Sequence, residues 1–335
     1  MQKRKKAGLR TPRIETDAPA LHTTTADGRV VRNTGSWYQV RTDDGASFNC
    51  KAKGNFRLRG IRSTSPVAVG DRVTIRYAAD GAAYITEIAP RRNCIVRRAS
   101  NLSKQSHILA ANVDLAVLVA TVARPETSTT FIDRFLAGAE AYDVPACIAL
   151  NKIDDLDADE QREAEALARL YRATGYDVFP LSAATGEGVE ALMAELSGKT
   201  CLLAGHSGVG KSTLLNRLVP EADARTAEIS EAHHSGMHTT TFSALYALPS
   251  GGNLIDIPGI KGFGTFDLVR AEVAHYFRDI FRLSSDCRFR GCTHTHEPGC
   301  AVRLALDEGR LAPSRYRSYL SILGDGDDDK YRTAF

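Results

Sequence analysis

Residues 205–212 read Gly205-His206-Ser207-Gly208-Val209-Gly210-Lys211-Ser212, which fits G-x-x-x-x-G-K-[ST]. An apolar run, Cys201-Leu202-Leu203-Ala204, precedes them and reads as a buried strand. Thr213-Leu214-Leu215-Asn216-Arg217-Leu218 follows, with its apolar residues at helical spacing. Strand, glycine loop and helix in that order are the setting a phosphate-binding loop requires. The glycines let successive backbone N–H groups converge on phosphate oxygens, and the helix N-terminus adds positive partial charge. Lys211 is placed to reach the β- and γ-phosphates, and the Ser212 hydroxyl to hold Mg²⁺. Gly205, His206, Ser207, Gly208, Val209, Gly210, Lys211, Ser212 and Thr213 are therefore the expected nucleotide contacts of this stretch.

Upstream, Asn151-Lys152-Ile153-Asp154 closes another apolar run, Ala146–Leu150. In N-K-x-D the aspartate accepts hydrogen bonds from N1–H and N2–H₂ of guanine, a donor pair that adenine lacks. Asn151 is expected to tie this loop to the phosphate loop, with the Lys152 stem covering the base. Ser182 and Ala183, after the next apolar run, fit the loop whose backbone N–H meets guanine O6. Asp256-Ile257-Pro258-Gly259 fits D-x-x-G, in which the aspartate acts on Mg²⁺ through water and the glycine N–H on the γ-phosphate. Thr239, Thr240 and Thr241 supply a threonine that senses the γ-phosphate and Mg²⁺. The nucleotide is thus GTP. A phosphate-loop ATPase or kinase is the weaker alternative, and Asp154 argues against it.

The guanine loops come before the phosphate loop. An ordinary GTPase runs phosphate loop, threonine, D-x-x-G, N-K-x-D, S-A-x, so this chain has the same parts in rotated order. Apolar runs at Val113–Ala120, Ala146–Leu150, Val178–Leu181, Thr200–Ala204, Ser243–Ala247 and Leu254–Ile257 alternate with helical stretches at 129–141, 158–173, 187–197 and 211–219. That alternation predicts a mostly parallel sheet covered on both faces.

The 335 residues suggest two or three domains, and no apolar run is long enough to cross a bilayer. The net charge of +3 is unevenly spread: residues 1–98 hold 20 Lys and Arg against 8 Asp and Glu, leaving the rest acidic. A basic first third points to a polyanionic partner for that third. Residues 1–25 lack apolar periodicity and are expected to be a disordered basic tail. Short alternating runs follow at Arg29–Asn33, Trp37–Thr42, Ser47–Ala52, Asp71–Tyr77 and Ala82–Ile88. Five such strands suit an OB-fold that binds RNA, with an SH3-like barrel as the alternative. Arg91, Arg92, Arg97 and Arg98 read as a basic linker. The expected divisions are 1–25, 26–98, 99–265 and 266–335.

The C-terminal part has helical spacing over Phe266–Leu283 and again at about 300–309 and 313–323, then an acidic tail. Between them, Cys287-x4-Cys292-x-His294-x5-Cys300 offers a Cys₃His set, an established tetrahedral zinc set with no open position. His296 competes for the fourth place. Cys50, Cys94, Cys147 and Cys201 read as strand core, and seven scattered cysteines do not make a disulfide framework.

The rotated motif order, the barrel and the Cys/His cluster together resemble the RsgA family of ribosome small-subunit-dependent GTPases. The resemblance covers about residues 26–323 and rests on S-G-V-G-K-S (207–212), G-M-H-T-T-T (236–241), D-I-P-G (256–259), N-K-I-D (151–154) and the Cys/His spacing. Ile257 departs from it, the family commonly having a small residue there. The resemblance implies a cytoplasmic, circularly permuted GTPase with bound GTP or GDP, Mg²⁺ and one structural Zn²⁺. It would bind the small ribosomal subunit and its rRNA, assist late maturation and leave on hydrolysis. It prefers His294 over His296 as ligand. No membrane is implied, and a monomer is expected. Ile260 stands where many GTPases carry a water-orienting Gln, so His238 becomes the candidate for that task.

Overall fold

The computed structural model describes residues 23–35, 37–52, 66–78, 81–98, 106–222, 243–257 and 270–325. The first strand, β1 (Thr23–Asn33), starts within the segment expected to be disordered. Its Thr-rich beginning finds a partner: Thr23–Arg29 pair with β4 (Arg72–Ala78), and Gly28–Asn33 pair with β2 (Tyr38–Thr42). One long strand thus serves two neighbours, and the crossing falls at Gly28. A Cβ there would stand 2.5 Å from the Arg41 carbonyl oxygen, so glycine is required by space. β3 (Ser47–Ala52) pairs with β2 and, in parallel, with β5 (Ala83–Ile88), which returns antiparallel to β4. The ring β1-β2-β3-β5-β4 is therefore closed, the five-stranded OB-type barrel. Val30, Val40, Cys50, Val73, Ile75 and Ile85 fill its interior.

The basic linker is in fact structured. β6 (Cys94–Arg98) and β7 (Ser106–Ala111) form a separate antiparallel pair spanning the expected division at residue 98. Arg91 serves as an internal staple. Its Nε and Nη2 donate to the two carboxylate oxygens of fully buried Asp71, each at 2.6 Å, and Nη2 also donates to the Pro66 carbonyl at 2.8 Å. Spacing alone does not separate such an arginine from a solvated one.

The α/β domain follows the expected alternation. Its strands are β8 (Leu115–Ala120), β9 (Ala146–Leu150), β10 (Asp177–Pro180), β11 (Thr200–Ala204), β12 (Ala244–Ala247) and β13 (Asn253–Asp256). Its helices are α1 (Thr129–Ala141), α2 (Ala158–Thr174), α3 (Val189–Leu196) and α4 (Lys211–Leu218). The spatial order β10-β9-β8-β11-β13-β12 is parallel except for β12, which runs against β13. Every residue of β8 is buried. Its alternate side chains feed two cores: Ala116, Leu118 and Ala120 face α1 and α2, while Leu115, Val117 and Val119 face α3 and α4. Ile257, the departure from the family pattern, is buried in the first of these cores. β12 also pairs with β1 through Arg32 and Ala244, so barrel and sheet share one hydrogen-bonded ladder.

The C-terminal segment forms a 3₁₀ turn (Arg270–Tyr276), α5 (Arg278–Ser284), α6 (Ala301–Asp307) and α7 (Pro313–Asp325). A continuous helix was expected over Phe266–Leu283, of which 266–269 lie outside the described residues. Over the rest, the helix is interrupted at Phe277, whose extended backbone drives its ring into the core, edge-on to Tyr319 at 5.7 Å. This unit is bolted to the α/β domain by buried Arg315. Arg315 Nη1 donates to Asp133 of α1 at 2.5 Å, and Nε and Nη2 grip Asp279 of α5, both at 2.9 Å. Tyr171 of α2 donates its hydroxyl to the same Asp133 oxygen at 2.8 Å.

Candidate functional site: a nucleotide cleft and a cysteine–histidine cluster

The phosphate loop links β11 to α4 at the carboxyl ends of the parallel strands, where ligands of open α/β sheets gather. Gly210 caps α4 with φ +86°, and a Cβ on it would stand 2.3 Å from Asn151 Nδ2. The glycine is thus needed for both its conformation and the closeness of the Asn151 loop. Register places Leu203 of β11 beside Asp256 of β13, so the D-x-x-G aspartate lies next to the strand that leads into the loop. Lys211 Nζ meets Asp256 Oδ1 at 2.5 Å, both side chains being largely buried. The cation suited to phosphate and the carboxylate suited to a metal are thus paired with each other. Ser212 follows Lys211 in the first turn of α4, and its hydroxyl and the Asp256 carboxylate are hard oxygen donors, the chemistry Mg²⁺ takes.

Asn151, only 2% exposed, holds three loops together. Its Nδ2 donates to the Val209 carbonyl of the phosphate loop at 2.8 Å, and its Oδ1 accepts the Ala183 N–H at 2.8 Å. Asp154 stands exposed on a short 3₁₀ turn after Lys152, free to meet a base. Ser182 is fully buried, and its hydroxyl accepts the Thr185 N–H at 3.0 Å, shaping the third loop. Gly205 and Val209 are buried, whereas Ser207 and Gly208 are exposed on the rim. Thr213, half-buried, begins the first turn of α4 beyond Ser212.

Three contacts had no signal in the motifs. Arg217 of α4 donates Nε to the Ala183 carbonyl at 2.7 Å and Nη2 to that of Ala184 at 2.5 Å, tying the phosphate-loop helix to the loop after β10. Thr127 Oγ1 meets His206 Nε2 at 2.7 Å, and Phe131 stands edge-on to the same imidazole at 5.4 Å. Lys152 Nζ donates to the Arg124 carbonyl at 2.6 Å. All three connect loops distant in sequence, which periodicity and spacing do not report. His238, Thr239, Thr240, Thr241 and Gly259 lie outside the described residues.

The cysteine–histidine cluster lies between α5 and α6. The ligand atoms of Cys287, Cys292, His294 and Cys300 all fall within 4.8 Å of one another. His294 Nδ1 is 3.5 Å from Cys287 Sγ and 3.4 Å from Cys300 Sγ, and those two sulfurs are 4.0 Å apart. Bonds of about 2.3 Å to sulfur and about 2.0–2.1 Å to nitrogen give tetrahedral edges of about 3.5–3.8 Å, so the set fits Zn²⁺. Burial lowers the His294 pKa and keeps the ring neutral, as a ligand needs. Burial also pushes the Cys292 thiol up to about 12 and raises Cys300, so a bound cation is required to make them thiolates. His296 is exposed and bonded to Thr295 Oγ1 at 2.8 Å, outside the cluster. The loop is further shaped by Glu297. Desolvation opposes its charge, but hydrogen bonds from Thr293 and backbone amides outweigh it and hold the carboxyl well below its usual range.

This architecture has close counterparts. The RsgA GTPase family matches residues 88–266, and the RsgA N-terminal domain matches 27–85. The small ribosomal subunit biogenesis GTPase RsgA of Bacteroides fragilis is 59% identical over 308 residues, covering 92% of this chain and 99% of the relative. Its namesake in Christiangramia forsetii is 46% identical, covering 91% and 98%. The crystal structure of YjeQ from Thermotoga maritima superposes with a TM-score of 0.74 at 31% identity, over 92% of this chain and 100% of that one. YloQ, described as a circularly permuted GTPase, gives 0.70 at 29% identity, over 94% and 99%. With barrel, rotated α/β sheet and cysteine–histidine cluster all in place, the chain belongs to the RsgA GTPase family.

Proposed function

We propose that this protein hydrolyses GTP while bound to the small ribosomal subunit, assists that subunit's late maturation and is released on hydrolysis. The observation that carries the GTP reading is Asn151, whose amide fastens the N-K-x-D loop to both the phosphate loop and the Ala183 loop. Asp154 then reads the guanine edge, the Ala183 N–H side meets O6, and Lys152 lies over the base. Lys211 and the phosphate-loop N–H groups neutralise the β- and γ-phosphates. Ser212 and Asp256, with Thr239 or Thr240, would hold Mg²⁺, which supplies charge neutralisation between those phosphates. Gly259 would donate its N–H to the γ-phosphate, and His238 would orient the attacking water. Cys287, Cys292, His294 and Cys300 would hold one structural zinc, all four positions being filled by protein.

The basic barrel supports an RNA partner. Exposed Trp37 carries Lys51 Nζ 4.6 Å from its ring; Lys51 pairs across the strands with exposed Tyr84, and Tyr84 with Arg76. Aromatic and cationic side chains alternate along this row, the composition that stacks bases and neutralises phosphates. The four segments ending at residues 25, 98, 265 and 335 remain our proposed division, with β6 and β7 joining the second to the third. No described helix is long and apolar enough to cross a membrane; the family relationship is what supports work in the cytoplasm, where we propose the protein acts as a monomer.

The test is GTP turnover with and without purified small subunits. Turnover is expected to be slow alone and strongly raised by subunits. His238→Ala is expected to keep GTP binding and lose about 10²-fold of the stimulated rate, the scale of a lost positioning group. Equal turnover in both conditions would exclude subunit-coupled hydrolysis.

A further inference from the structure

Two residues on the rim of the cleft adopt left-handed backbones without being glycine: Arg124 with φ +50° and Lys152 with φ +67°. Such conformations are disfavoured for residues that carry a Cβ and persist where surrounding contacts over-determine them. These two are bonded to each other, Lys152 Nζ donating to the Arg124 carbonyl at 2.6 Å. Arg124 in turn reaches back across the same gap. Its Nε donates to Asp155 Oδ2 at 2.9 Å, and Nη1 and Nη2 take both oxygens of Glu160 at 2.7 and 2.6 Å. Nη2 also contacts the Asp155 carbonyl. The result is a reciprocal clasp between the loop after β8 and the segment from Lys152 to Glu160.

The clasp has a second fixed side. Thr121 donates its hydroxyl to the Pro125 carbonyl at 2.5 Å, and Thr127 bonds both the Thr121 N–H, at 3.0 Å, and His206. Pro125 abuts the phosphate loop, its Cδ 3.1 Å from where a Cβ on Gly208 would stand. The Lys152 stem crosses this gap, with its Cε 3.9 Å from the corresponding point on Gly210. A lysine stem free in water samples many rotamers, and pinning its ammonium removes that freedom before a ligand arrives.

We propose that Arg124 is a positioning residue for guanine nucleotide. Its guanidinium, held by Asp155 and Glu160, fixes the carbonyl that pins Lys152 across the cleft, and this sets how fast nucleotide leaves. The inference rests on the reading of Asn151–Asp154 as the guanine loop. Exposed ion pairs are individually weak, so the effect belongs in residence time rather than in folding.

The experiment follows release of N-methylanthraniloyl-GDP from the full-length protein with Mg²⁺ by stopped-flow fluorescence. Arg124→Ala is expected to release roughly tenfold faster, the size of one charge-assisted hydrogen-bond set at a partly exposed site. Arg124→Lys, which cannot grip Glu160 through two nitrogens, is expected to fall between, and it carries the test if Arg124→Ala folds poorly. Lys152→Ala and Arg124→Ala/Lys152→Ala are expected to release alike, because the arginine acts through the lysine. A merely structural arginine would instead speed release by the same factor in both backgrounds, and that result overturns the proposal. Wild-type release by Arg124→Ala overturns it too, while loss of guanine preference in Asp154→Asn would leave the guanine loop standing. Retained guanine preference in Asp154→Asn sinks both readings.

Discussion

Asn151 and Arg315 are both buried, and each commits its side-chain polar atoms to partners more than 30 residues away. Asn151 draws its own loop, the phosphate loop and the Ala183 loop together, whereas Arg315 holds the C-terminal unit in place. Desolvating the Arg315 guanidinium is costly and is offset only while both Asp133 and Asp279 remain opposite it. Arg315→Ala leaves buried Asp133 with Tyr171 as its remaining partner of known geometry, so we expect a loss of about 3–5 kcal/mol in denaturant unfolding. A shift below about 1 kcal/mol would show the pair to be energetically idle. At the cleft, Asp154→Asn is expected to weaken GTP binding and favour xanthosine triphosphate, because an amide can donate to the extra carbonyl. Calorimetric titration with both nucleotides decides it; undiminished GTP affinity would remove Asp154 from base recognition.

At the scale of elements, the cysteine–histidine loop and the helices around it depend on one another. Cys300 caps α6, its sulfur accepting the Arg303 N–H at 3.5 Å. Tyr316 and Tyr319 of α7 donate their hydroxyls to the carbonyls of His294 at 2.6 Å and Thr293 at 2.8 Å. Metal analysis is therefore expected to give about one zinc per chain, and chelation to deprotect α6 amides to hydrogen exchange before those of β8 and β11. Unchanged exchange after complete metal removal would deny the metal a structural role. These elements were legible to different degrees. The parallel strands announce themselves because both of their faces are buried, and α2 because Glu163, Leu167, Leu170 and Tyr171 recur at helical spacing before a glycine stop at Gly175, while its Asp157–Glu160 capping box is a finding of the structure. The break at Phe277 was not legible, since a helical apolar period says nothing about a ring that must turn inward. β6 reads as linker because Arg97 and Arg98 hide a strand pattern of only five residues, and β7 is too short to stand out among the apolar runs. In the cleft, the motif residues could be named in advance, but Arg217, Thr127 and Arg124 could not. Each works through a carbonyl or a hydroxyl that any sequence could provide.

For the whole molecule, the barrel carries the exposed aromatic and basic row that we propose meets RNA. Trp37 is the chain's one tryptophan, so its emission reports directly on the Trp37–Lys51–Tyr84–Arg76 row. Single-stranded RNA is expected to quench it, and Lys51→Ala/Arg76→Ala to flatten the log–log salt dependence of binding by about 1–2, the share of two phosphates. An unquenched tryptophan at saturating RNA would place the contact elsewhere. Cutting the barrel away is a poorer test, because Val31, Val69 and Ile95 belong to the core beside β8 and α1.

The ladder between β1 and β12 also sets a timetable. Arg32 is made about 210 residues before its partner Ala244. At about 5–20 residues per second, the end of β1 beyond Arg29 waits on the order of 10–40 s for β12, its second neighbour. The guanine loops emerge next and must likewise idle until the phosphate loop and Asp256 appear, since the rotated order delivers the specificity half of the cleft first. A nascent chain interrupted before Ala244 therefore lacks the ladder from β1 to β12, and one interrupted before Asp256 lacks a complete cleft for GTP. Newly made copies of this protein consequently gain their nucleotide only near the end of their own translation.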